Sequence, residues 1–96
     1  MRTLMLVDHR VADFDAWKQV YDGFRDGQRE GGVRFHQVLR DPNDLKRVVV
    51  THVFDSREAG EAFAESAELR EAMGRAGVDA SSVSIEYLDE VDAGDL

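Results

Sequence analysis

The sequence predicts an α+β domain: one four-stranded antiparallel sheet with its helices packed on a single face. Three observations carry this reading. Strand-like and helix-like hydrophobic patterns follow one another in the order β-α-β-β-α-β. A strong turn signal, Asp41-Pro42-Asn43-Asp44, separates the two middle strands, and Gly31-Gly32 and Gly77 end the two helical patterns. Two right-handed crossovers flanking a hairpin give the ferredoxin-like arrangement.

Each element has its own local cause. Leu4 to Val7 is a continuous apolar run edged by polar residues, which reads as a buried strand, and Asp8-His9-Arg10 carries it to its end. Asp13 stands at a helix N-cap position, with Asp15 in the first turn favoured by the helix dipole. Phe14, Trp17, Val20, Tyr21 and Phe24 follow at helical spacing, predicting one helix that runs until Gly31-Gly32 stops it. Val33, Phe35, Gln37 and Leu39 then alternate with Arg34, His36, Val38 and Arg40. After the turn, Arg47 to Phe54 is the valine-rich return strand of a hairpin. Asp55 or Ser56 opens the second helix, and Glu58 completes a capping-box-like pattern with Asp55. Ala59, Ala62, Phe63, Ser66, Leu69, Arg70, Met73 and Ala76 share one stripe; the alternative is that Ser66 acts as an internal cap and divides it into two shorter helices. Ser82 to Leu88 alternates as the last strand. The expected organisation is one domain over residues 1–91 and an acidic tail over 92–96.

Composition narrows the function classes. A net charge of −8 disfavours both a nucleic-acid backbone and an anionic membrane as partners. The chain has no cysteine, which excludes disulfides, thiolate metal sites and cysteine nucleophiles. The apolar run near Met1 is too short for a signal peptide, and no stretch approaches a membrane span, so the expected location is cytoplasmic. No phosphate-binding loop, dinucleotide fingerprint or zinc-binding helix motif is present.

Helices on one side leave the other face of the sheet bare. Depending on register, that face carries Val48, Val50, His52 and Phe54, or Val49, Thr51 and Val53. Either set is too apolar for open exposure, so the sequence predicts a homodimer in which two sheets cover each other.

The segment His9-Arg10-Val11-Ala12-Asp13-Phe14-Asp15-Ala16-Trp17-Lys18 resembles the first strand-to-helix junction of the dimeric α+β-barrel superfamily. More narrowly, it is similar to small proteins of the antibiotic biosynthesis monooxygenase-like or cyclase-like group. Val38-Leu39-Arg40-Asp41, Val48-Val49-Val50 and Phe54-Asp55 resemble that group's hairpin, and residues 66–73 and 75–78 its second helical region. The resemblance spans Leu4 to Leu88. It implies a dimer whose sheets close into a barrel, with a pocket between sheet and helices in each protomer. It also implies activities that include cofactor-independent oxidation of aromatic polyketides, polyketide cyclisation, lactone isomerisation and haem degradation. The sequence departs from the group's oxygenases in two places. Their pocket pairs an asparagine with a tryptophan, whereas the single asparagine here, Asn43, falls in the hairpin turn, and Ala67 replaces an expected proline.

Three histidines are the candidate catalytic residues. His36 and His52 lie on the two hairpin strands and share a face if the turn sets them opposite each other. They then form either a general base with its orienting partner, a pair of metal ligands, or a hydrogen-bonded cross-strand pair with no catalytic part. No carboxylate completes a metal-ligand spacing, so no metal is expected. His9 ends the first strand beside the helix that carries Trp17 and Tyr21. There it is either a base for a phenolic or enolic ligand, or a polar strand terminator. Trp17, Tyr21 and Phe24 are candidate binding residues for a flat ligand, or simply core, and Arg25 either orients an anionic substituent or is an exposed helix residue with no part in binding. The leading expectation is a cofactor-free enzyme in which a histidine removes a proton from an aromatic or polyketide-like ligand. The alternatives are a non-catalytic dimeric module that binds a small hydrophobic metabolite, and a haem-binding oxygenase.

Overall fold

The computed structural model describes residues 1–96. Its elements are β1 (Thr3–Arg10), α1 (Phe14–Gly23), α2 (Arg25–Glu30), β2 (Phe35–Asp41), β3 (Asp44–Phe54), α3 (Arg57–Glu65), α4 (Ala67–Arg75) and β4 (Ser84–Asp89), with a 3-10 turn at Ala80–Ser82. The four strands form one antiparallel sheet in the order β2-β3-β1-β4. This is the ferredoxin-like α+β fold expected from the pattern.

Register decides which residues meet the helices. Met5 pairs with His52, Val7 with Val50 and His9 with Val48, while β4 brings Tyr87 opposite Met5 and Ile85 opposite Val7. Met5, Val48, Val50 and Phe54 sink into the core with Trp17 from α1 and Phe63 from α3. Burying side chains of this size stabilises the fold by about 1.5–3 kcal/mol each. The other face carries Val49, Thr51 and Val53 on β3, so of the two registers left open by sequence the second holds. Around them Phe35 is 54% exposed, Leu39 46% and Leu88 51%.

Three local expectations change, and the alternative left open at Ser66 is decided. The first helical pattern is two helices, because Phe24 serves as C-cap of α1 and N-cap of α2; its N–H donates to the Tyr21 carbonyl, tightening the last turn just after Gly23. The capping box at Asp55 does not form. Ser56 is the N-cap and its hydroxyl accepts from the Ala59 N–H at 3.2 Å, while Asp55 is held by Arg34 at 2.8 Å. Ser66 takes its capping role, accepting from the Leu69 N–H, so the second helical pattern is also two helices. The last strand starts at Ser84, since Asp79 caps the 3-10 turn and draws Ser81 and Ser82 out of the sheet. Residues 91–96 are exposed and without regular structure.

Candidate active site

The helix-facing side of β1, β3 and β4 and the inner faces of the four helices line a cavity of about 80 Å³. Its wall is almost wholly apolar, with Phe24 and Phe63 among the aromatic members. The polar exceptions are His9, Tyr21, Gln28 and His52. His9 is 3% exposed and His52 4%, so both imidazoles are interior groups.

Asp13 positions α1. Its carboxylate accepts from the Asp15 and Ala16 N–H groups, at 2.9 and 3.3 Å, and fixes where the helix begins. From that start, Trp17 lies against the sheet and Tyr21 follows one turn later, the two rings stacked at 4.9 Å. The His9 ring meets Trp17 at 5.6 Å and the His52 ring stacks on Tyr21 at 6.1 Å. Four residues of register separate His9 from His52 along the sheet, about 13 Å of strand. The two imidazoles therefore stand at opposite ends of an aromatic wall.

His36 and His52 are direct cross-strand partners. Their rings are linked through α1: the Tyr21 hydroxyl is 3.1 Å from His36 Nδ1 and 3.1 Å from His52 Nε2. Arg25 Nη1 lies 2.7 Å from His36 Nε2, at the outer end of the chain. Beyond it a polar recess of about 260 Å³ opens to the surface, edged by Arg25, Arg29, Arg34 and His36. Arg25 thus sits on the solvent side of His36 and does not face the apolar cavity.

Burial governs the ionisation of these groups. It lowers the His52 pKa to about 4, with His36 and Arg25 adding to the effect. Burial lowers His9 as well, and the carbonyls of Val7 and Val48 and the Asp8 carboxylate oppose it without prevailing. His36 is lowered by burial and by the charges of Arg25 and Lys18. Burial pushes Tyr21 up to about 12, against the pull of Arg25. At neutral pH the site therefore holds neutral imidazoles and an intact phenol. Three buried polar atoms lack any hydrogen-bond partner: His9 Nδ1, His52 Nδ1 and Gln28 Oε1. All three residues line the cavity.

Of the residues proposed from sequence, His9, His52, Trp17, Tyr21 and Phe24 gather on the cavity, and His36 and Arg25 extend from it to the surface. Gln28 escaped notice. It continues the spacing of Trp17, Tyr21 and Phe24 on the same side, and that spacing was the available signal. No group of three or more His, Asp or Glu side chains converges as a metal would require, and no helix is long and apolar enough to cross a membrane.

The chain is thus a small ferredoxin-like α+β protein with an apolar, histidine-lined cavity between its sheet and its helices. The chain belongs to the antibiotic biosynthesis monooxygenase family, whose model matches residues 9–75. No curated protein matches it in sequence. Among solved structures it is similar to a Caulobacter crescentus protein provisionally described as an antibiotic biosynthesis monooxygenase. That pair has a TM-score of 0.76 at 19% identity over 95% of this chain and 91% of that one. It is also similar to SnoaB of Streptomyces nogalater, described as a cofactor-independent oxygenase (TM-score 0.68, 11% identity, 90% and 87% covered). A dimeric ferredoxin-like protein of Jannaschia sp. CCS1 scores 0.68 at 14% identity, with 93% and 99% covered. At these identities the likeness is one of fold.

Proposed function

We propose that this protein is a cofactor-free enzyme acting on a planar aromatic or polyketide-like molecule, and that the reaction begins with proton removal by a histidine. One observation carries the reading: two buried, neutral imidazoles, each with an unpartnered Nδ1, stand at the two ends of the Trp17–Tyr21 wall in an otherwise apolar cavity. An unpartnered polar atom in such a place costs about 1–3 kcal/mol, which a ligand bearing complementary groups recovers. His9 is the base in this reading. Burial keeps it unprotonated, and a ligand stacked along Trp17 presents its acidic C–H or O–H to Nδ1. Reaction of the resulting carbanion or phenolate with oxygen, or ring closure, follows. Membership of the monooxygenase family favours oxygen.

The same reading has the protein act as a homodimer of cytoplasmic location, its bare sheet faces covering each other; the dimeric Jannaschia neighbour supports the pairing. The test is turnover of a panel of planar phenolic polyketides by the purified protein, with dissolved oxygen monitored. Loss of turnover in His9→Ala, with the fold retained, is the expected result. Saturable binding with every ligand recovered unchanged assigns the protein to the non-catalytic binding modules. Purification with haem, or its ready uptake, assigns it to the haem oxygenases. Normal turnover in His9→Ala, His36→Ala and His52→Ala alike sinks the mechanism.

A further inference from the structure

One set of proton positions gives every contact of the chain Arg25–His36–Tyr21–His52 a donor and an acceptor, and the Tyr21 hydrogen an acceptor within it. A guanidinium has donors and no acceptor, so Arg25 must donate to His36 Nε2. That nitrogen is therefore unprotonated, and the proton of the neutral His36 ring sits on Nδ1. From there it points at the Tyr21 oxygen, 3.1 Å away. Tyr21 accepts from His36 on one lone pair, and its own hydrogen finds His52 Nε2 as the acceptor within 3.1 Å. The neutral His52 ring must then carry its proton on Nδ1, the buried atom that has no partner in the protein. The opposite polarity would set an N–H of His36 against an N–H of Arg25 at 2.7 Å.

From this we infer that His52 Nδ1–H is a ligand-binding donor, fixed in that tautomer by Arg25 through His36 and Tyr21, and that it selects ligands bearing a carbonyl or enolate oxygen. A basic role for His52 is closed by the same logic, because its free nitrogen is the protonated one. The inference deepens the proposed reaction and rests on it for what happens to the ligand. Charge released at the His9 end of a conjugated ring system needs an oxygen at the other end to receive it, and an N–H placed there stabilises that oxyanion. Burial supports the arrangement: a neutral imidazole donates without becoming a cation, and a phenol that resists ionisation keeps its hydrogen for His52. Arg25, His36 and Tyr21 are positioning residues here, since only His52 meets the ligand.

The tautomers are measured in the 15N-labelled protein by long-range 1H–15N correlation of the imidazoles, a readout independent of turnover. Protonated Nδ1 on both His36 and His52 is expected; protonated Nε2 on His52 overturns the inference. In Arg25→Met the two tautomers of His36 should both become populated, and an unchanged single tautomer removes Arg25 from the argument. The second measurement titrates 1-indanone and indane, two probes of nearly one shape that differ in a carbonyl oxygen, while the His52 nitrogens are observed. Indanone should bind roughly tenfold more tightly, as expected when one buried N–H gains its partner, and should shift Nδ1. Equal affinities, or an unmoved His52 signal, refute the donor role. Either failure leaves the His9-dependent reaction standing, and loss of that reaction leaves the tautomers as measured, so the two ideas fail separately.

Discussion

His36 and His52 are opposite one another on β2 and β3, yet their side chains communicate through a third residue, the Tyr21 hydroxyl, at 3.1 Å from each. The pairing comes from the hairpin register and the connection from α1, two parts of the chain with separate determinants. A single oxygen thus ties the first helix to both hairpin strands.

Tyr21→Phe keeps the ring stacked on Trp17 and deletes that oxygen. His52 Nε2 is left buried without a donor, which costs about 1–3 kcal/mol. Urea unfolding should show a lower midpoint at an unchanged slope. A midpoint equal to the wild type's would mean that the hydroxyl is not part of the folded-state hydrogen-bond network.

Acid should destabilise the protein earlier than its carboxylates alone would. His52 titrates near 4 in the folded chain, against 6.5 when unperturbed, and His9 and His36 are displaced in the same direction. Between those values the unfolded chain binds more protons than the folded one. Stability is therefore complete above about pH 6.5 and falls as pH drops toward 4, by about 3 kcal/mol for His52 alone. Thermal melts from pH 7.5 to 4.5 should show the decline, and His52→Gln should flatten it. A flat wild-type profile over that span contradicts the burial of a neutral His52.

The bare face of the sheet makes the clearest statement about assembly. Phe35, Leu39 and Leu88 stand in water on the face that carries Val49 and Val53 in a lone subunit, a patch of the kind that marks an interface. Sedimentation at dilute concentration should report a dimer, and Leu39→Asp should shift it to monomer without changing the cavity. A well-folded wild-type monomer at micromolar concentration would discard the pairing.

Ala67 is the first helical residue of α4, behind the N-cap Ser66, whose ψ of 142° suits a residue that precedes proline. Proline at this first position gives up an N–H that has no helical partner. Ala67→Pro should raise stability by about 0.4–1 kcal/mol through the unfolded chain, visible as a higher melting temperature. A drop would show that the Ala67 N–H is engaged.

The sequence alone determined the order of elements, the hairpin turn at Pro42-Asn43, the helix start at Asp13 and the ferredoxin-like class, because each rests on short-range chemistry: periodicity, capping and turn geometry. It also brought forward the aromatic members Trp17, Tyr21 and Phe24 of the cavity wall, since an aromatic stripe on a helix must face the sheet. The tertiary structure alone decided three things. It chose which valines of β3 face the helices, a matter of one residue of register. It broke the first helical pattern at Phe24, where no capping side chain marks a boundary. And it set the Tyr21 oxygen between two imidazoles with Arg25 at the outer end. That last relationship joins residues from 11 to 31 positions apart. No local pattern encodes it, because the distances arise only when α1 is laid across the finished sheet.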